Sequence, residues 1–172
     1  MEFAKITLFA LAAAIVYGIL HDQVTAHLCV EYFTIAHPPL FPTQSPFWLA
    51  IGWGIVATWW VGLPLGLLLA MAARIGTRRK LGWRDLRRPV LALLLAMAAC
   101  AAVAGIIGAV RAQQGAVVLA QSWGIPDDRQ VAFMADAWAH LASYGSGIIG
   151  GLVLITFVVA PRLRPLPAAA DS

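Results

Sequence analysis

Residues 21–37, HDQVTAHLCVEYFTIAH, concentrate groups that ligate, titrate or react: His21, Asp22, His27, Cys29, Glu31, Tyr32 and His37. They follow directly on a long apolar run and hold three of the four histidines of the chain. The fourth, His140, lies far away in sequence, four residues after Asp136. On a helix this spacing places Asp136 and His140 on one face, and His27 and Glu31 repeat the pattern. One such pair from each of two adjacent helices is a donor set for a divalent transition metal. Neutral imidazole suits Zn, Cu, Fe or Ni, and carboxylates fill the remaining positions.

Ligand distances of about 2.0–2.2 Å mean that one ion cannot use every candidate. Either His21 with His140, or His27 and Glu31 with Asp136 and His140, forms the core of the expected site. His21 is the better match in depth, His27 the better match in pairing. If such a metal is catalytic, a metal-bound water is the reagent and Glu31 or Asp136 the proton acceptor. Haem between His21 and His140 is the weaker cofactor expectation, because it would sit at the edge of a bundle with no further support.

Bland roles compete for several of these residues. Glu31 falls level with Arg129 or Gln130, so an interhelical ion pair accounts for it. Asp22 and Asp136 are expected to be solvated or to pair with Arg111, and His37, before Pro38-Pro39, is expected in a turn. Cys29 reads as a packed thiol, with a metal ligand or an intermolecular link as its alternatives, and Cys100 as a small buried hydrophobe. Their depths differ too much for a disulfide.

The elements that must position these groups follow from composition. Of 172 residues, 61% are hydrophobic and 12% charged, against the ~25% charged typical of soluble domains. Four apolar runs, at 3–20, 48–73, 89–110 and 137–160, reach the ~20 residues needed to cross a bilayer. A spanning segment must satisfy its own backbone, so each run is expected to be a helix. The expected fold is a single all-α domain, an integral membrane four-helix bundle.

The net charge of +4 is distributed unevenly. Arg74, Arg78, Arg79, Lys80, Arg84, Arg87 and Arg88 crowd the 74–88 loop, and Lys5, Arg162 and Arg164 lie at the two ends. Acidic groups gather in 21–47 and 111–136. By the positive-inside rule both termini and the basic loop are cytoplasmic, and the other two segments lie outside. The basic residues therefore speak for topology and anionic lipid headgroups rather than nucleic acid. The opening MEFAK and the apolar run after it resemble a signal peptide, but one Lys offset by Glu2 favours a retained first span.

Along the chain, no Gly or Pro lies between Leu20 and Ala36, so the first helix is expected to run on outside the membrane to Pro38-Pro39. Gly62 and Pro64 are the expected kink of the second span. Residues 115–124 are too short to cross and are expected along the interface or as a cap on the bundle. Pro126-Asp127-Asp128 reads as the start of the fourth helix, which also projects outside and is interrupted, if anywhere, at GSGIIGG 145–151. Trp48, Trp53, Trp123 and Trp138 are expected in an outer aromatic belt. Counting ~21 residues from each cytoplasmic end at ~1.5 Å per residue puts His21, Trp53, Val110–Arg111 and His140 in one layer.

Small residues recur at four-residue spacing as Ala10/Ala14/Gly18, Gly62/Gly66/Ala70, Ala104/Gly108 and Gly147/Gly151. They let helices approach closely within the bundle, and they also suit a homo-oligomer or a membrane-protein partner. HExxH, GxSxG, CxxC, CxxCH and a Gly-rich phosphate loop are all absent from the sequence. The inner two-thirds of the bundle has no charged residue, which argues against a pore within one protomer.

The HDQVTA block with EYFTIAHP, ATWWVGLPLG and HLASYGSGIIGG resembles a family of small four-span bacterial membrane proteins. The resemblance covers most of the chain and implies a multi-pass protein of the bacterial inner membrane. It brings no activity, cofactor or site residues. The functional expectation is thus a His/carboxylate metal site on the periplasmic face, with enzymatic activity undetermined. A non-catalytic accessory or scaffold subunit, and a pH or envelope sensor built on the histidines, are the alternatives.

Overall fold

The computed structural model describes residues 1–118 and 121–164, and the regular structure among them is all helical. Residues 119 and 120, part of the stretch expected along the interface, lie outside the described residues. Four helical segments are long and apolar enough to cross a membrane: Glu2–Leu28, Pro46–Arg74, Trp83–Gln113 and Asp127–Leu163. Leu8, Val16, Leu95, Ile106 and Phe157 point outward from them. Water disfavours such a girdle of exposed large apolar side chains, and bilayer hydrocarbon accepts it. Cys100 belongs to this outward face. It is not the buried hydrophobe its central position in the third run suggested, because the Trp83–Gln113 helix turns that face away from its neighbours.

Helix α1 (Glu2–Leu28) carries the first run, but it does not continue to Pro38. The chain breaks at Cys29, with φ −149° and ψ 89°, and resumes as the short α2 (Val30–Thr34). No local breaker causes this. Cys29 is fully buried against Ile125 and Phe133, and its thiol donates to Glu31 Oε2 at 3.3 Å. Arg129 Nη2 donates to the Leu28 carbonyl at 2.9 Å, the acceptor that amide 32 would use in a continuing helix. That amide turns to Cys29 instead.

The second span is two helices, α3 (Pro46–Val56) and α4 (Trp59–Arg74). The interruption falls at Ala57–Thr58, upstream of the expected kink at Gly62 and Pro64. Here the Thr58 hydroxyl donates to the Gly54 carbonyl at 2.5 Å, and amide 58 reaches Ile55 O at 3.3 Å. A side chain has inserted into the i→i−4 ladder. Gly54 is also where this span presses on α1: an added Cβ would lie 2.5 Å from Ile19 N and 2.6 Å from Ile19 Cα. Both are backbone atoms that cannot step aside. Gly54→Ala should therefore lower stability by about 1–3 kcal/mol. The check is the thermal unfolding midpoint of detergent-solubilised protein, and an unchanged midpoint would contradict the close crossing.

Helix α5 (Trp83–Gln113) begins at Gly82, whose amide donates to Asp85 Oδ2 at 2.9 Å. This capping starts the helix well before Pro89, where the apolar run had been expected to begin. Counted from Gly82, ~21 residues at ~1.5 Å bring α5 to about Val103 rather than to Arg111. The packing agrees. Gly105 faces Ala135 and Ala139, and Gly108 faces Met134 and Trp138, so Arg111 lies beyond the His140 level and does not share it.

After a 3-10 turn at Asp127–Arg129, α6 (Gln130–Leu163) runs without interruption through the glycines at 145–151. At 34 residues it spans about 51 Å, well over the ~30 Å of bilayer hydrocarbon.

Helix α1 packs on α3 and α4, α5 packs on α6, and α4 with α6 joins the two pairs. Ile6, Leu69, Leu86, Val90 and Val158 lock them together at the basic end. At the other end, Ala26, Phe33, Leu49, Ala50 and Trp53 form a second core. Trp53 is thus interior, whereas Trp48 and Trp123 are exposed. The expected small-residue rows mesh inside the chain: Gly62 against Ala14, Gly66 against Thr7 and Ala10, Gly151 against Leu65.

Candidate metal centre

Helix α1 supplies His21 and Asp22, and α6 supplies His140. Their ligating atoms all lie within 4.8 Å of one another, the one such grouping among the described residues. The two imidazoles meet edge to face with centroids 4.6 Å apart. His140 Nε2 stands 3.3 Å from Asp22 Oδ1. Tyr32 stacks on His140 at 4.5 Å and Tyr17 on His21 at 5.9 Å, which fixes both ring planes. Asp22 and His140 are buried, while His21 is partly accessible.

The tautomer of His140 follows from its neighbours. Its Nδ1 lies 2.8 Å from the Asp136 carbonyl oxygen, which can only accept, so Nδ1 carries the hydrogen. Nε2 then faces a carboxylate with its lone pair unless a second proton or a cation stands between them. A backbone carbonyl behind the remote nitrogen is the usual support of a metal-ligating histidine. His21 Nε2 is buried and finds no hydrogen-bond partner. A shared ion would satisfy that atom, whereas an extra proton on His140 would leave it orphaned. Two ligands at about 2.0–2.2 Å from one ion are at most about 4.4 Å apart, so side-chain shifts of a few tenths of an ångström close the site. Two histidines and one carboxylate leave coordination positions free, as in the facial triads of non-haem iron sites.

Of the residues singled out in the sequence, His21 and His140 are brought together, and the other three are placed elsewhere. His27 is exposed, and its Nδ1 donates to Gln23 O at 2.7 Å. Glu31 pairs with Arg129 at 3.1 Å, the interhelical bridge its level suggested. Asp136 is fully buried, and neither carboxylate oxygen has a partner. Its i,i+4 relation to His140 is realised through the backbone carbonyl instead. The third member of the group is Asp22, which is neither solvated nor paired with the exposed Arg111. A signal for it existed: Gly18, Asp22, Thr25 and Ala26 are one buried stripe of α1, at the helical spacing of a packed face.

Beyond the group lies a second aromatic layer outside the spans. His37 packs on Trp53 at 4.6 Å and stacks on Phe33 at 5.8 Å, with Nδ1 donating to Tyr32 O at 2.8 Å. It is a turn residue, as expected, but one built into the core. Burial holds its imidazole below the usual histidine range and pushes the Tyr32 phenol up to about 12. Burial would raise Glu31, but hydrogen bonds from its own amide, Cys29 and Arg129 outweigh it and hold the carboxyl low.

Burial and the bond to Glu31 push the Cys29 thiol up to about 12. The reactive thiolate is then about 10⁻⁴ of the total at pH 8, growing tenfold per pH unit. In a Cys100→Ala background, maleimide labelling of Cys29 at pH 8 should stay under about a tenth of that after denaturation. Fast labelling of the folded protein would show an accessible thiolate instead.

No protein-family model matches the chain, and neither the curated proteins nor the solved structures contain a match.

Proposed function

We propose that this chain is a multi-pass inner-membrane protein that binds a divalent transition metal through His21, Asp22 and His140 at the periplasmic end of its bundle. The basic 74–88 loop and chain ends support that orientation, since the positive-inside rule favours basic segments on the cytoplasmic side. The metal reading is carried by one observation: His140 Nε2, its partner nitrogen already committed, aims at Asp22 Oδ1 from 3.3 Å. The unpartnered His21 nitrogen beside it favours an ion over a proton. Imidazole and carboxylate together suit Zn, Cu or Fe. Free coordination positions leave room for water or a small ligand, the prerequisite for metal-assisted chemistry. Metal analysis of the purified protein, compared with His21→Ala and His140→Ala, tests the proposal. A content at background in the unmutated protein removes it.

A further inference from the structure

At the end of the bundle opposite the His21–Asp22–His140 group, a groove of about 550 Å³ lies between the start of α1, the end of α4 and the start of α5. Five cations line it, Lys5, Arg74, Arg79, Lys80 and Arg84, against two acids, Glu2 and Asp85. Both acids are engaged. Glu2 Oε1 lies 2.9 Å from Lys5 Nζ, and Asp85 accepts from Arg79 at 3.0 Å and from the Gly82 amide at 2.9 Å. Among the described residues no carboxylate pairs with Arg74, Lys80 or Arg84. Arg74 reaches the Leu81 carbonyl at 3.5 Å, Lys80 donates to Gly76 O, and the Arg84 guanidinium stands 5.7 Å from the Trp83 ring centroid. Three positive charges therefore line the groove with neutral partners alone.

The loop that carries Arg79 and Lys80 is held in place from two sides. Buried Arg162 of α6 donates to Arg79 O at 2.6 Å, and Leu81 N donates to Ala73 O at 3.0 Å. A phosphate entering the groove meets preset donors, and charge-assisted bonds to it are stronger than the neutral ones they replace. Trp83, half-buried with its ring 5.8 Å from that of Phe9, is a residue type of the membrane–water boundary. From Arg84, one face of α5 continues to Leu91 and Leu95 at helical spacing, and all three side chains are exposed. The same stripe thus offers a cation at the groove and hydrocarbon-facing leucines deeper in.

We infer that this groove binds the head of an anionic glycerophospholipid, a phosphodiester whose remaining part is uncharged, as in phosphatidylglycerol. Its phosphate sits among Arg74, Lys80 and Arg84, and an acyl chain lies along Leu91 and Leu95. A zwitterionic head fits worse, because its ammonium would meet surplus positive charge and two acids already paired. A soluble phosphate gains nothing from the leucine stripe. The site goes beyond the metal reading and shares no residue with it.

The test titrates full-length, lipid-stripped protein in a neutral detergent with dioctanoyl phosphatidylglycerol or dioctanoyl phosphatidylcholine, counting bound lipid by native mass spectrometry. Phosphatidylglycerol should saturate a single site at least about tenfold more tightly than phosphatidylcholine, with or without a chelator. Lys80→Gln combined with Arg84→Gln should cost at least about tenfold in that affinity. Arg87→Gln combined with Arg164→Gln removes the same charge from exposed positions outside the groove, and should leave the affinity unchanged. If the first pair does not fold, Arg84→Gln alone is compared with Arg87→Gln alone. Equal affinity for the two lipids would overturn the inference. So would equal losses in the two variants, which mean diffuse attraction to the basic face. Displacement by an equal concentration of glycerol 3-phosphate would overturn it too, by showing a site for soluble phosphates.

Discussion

His140→Ala and Asp22→Asn should each reduce metal affinity by at least about 100-fold, since removing even a supporting hydrogen bond of a metal ligand costs 10–100-fold. His21→Ala should do the same, because its ring completes the group within 4.8 Å. His27→Ala should retain the metal, since that imidazole is exposed and tied to Gln23. This contrast separates the two ligand sets that the sequence left open. Titration of metal-stripped protein with Zn²⁺ or Fe²⁺, followed by calorimetry or equilibrium dialysis, supplies the numbers. If the unmutated protein binds no ion, the 3.3 Å contact between His140 and Asp22 is a hydrogen bond through a shared proton. In that case His21→Ala should be nearly silent.

Asp136→Leu should stabilise the protein, by about 1–3 kcal/mol, the usual penalty of a buried polar group left without partners. Asp136 is fully buried with both carboxylate oxygens unpaired. Arg129 gives it no hydrogen bond, being engaged with Glu31 and the Leu28 carbonyl. For a chain of this size that gain is roughly 2–12 °C in the unfolding midpoint. Metal affinity should be untouched, since His140 bonds the backbone carbonyl of residue 136 and not its side chain. A fall in stability would mean that the carboxyl has a partner, and lost metal would mean that it is a ligand. Placing this unpaired acid one helical turn from His140 contradicts local stability, the kind of conflict expected at functional sites.

Hydropathy alone determined the four helical segments long and apolar enough to cross a membrane, because length and apolarity are read without reference to any neighbour. Depth counting also brought His21 level with His140, since both helices rise uniformly from their basic ends. Local pattern failed wherever another helix decided the outcome. The break at Cys29 comes from Arg129, a hundred residues away in sequence, and the break at Thr58 from a hydroxyl that a propensity scale cannot aim. The arginine layer misplaced α5 because the true start is the Gly82–Asp85 cap, not the first apolar residue. Choosing Asp22 over Asp136 as the acid beside His140 needed the rotation of α1 against α6, set by side-chain packing across the interface. Rise along a helix is a property of the backbone and is legible in one sequence; azimuth is a property of the pair, and only the folded chain decides it.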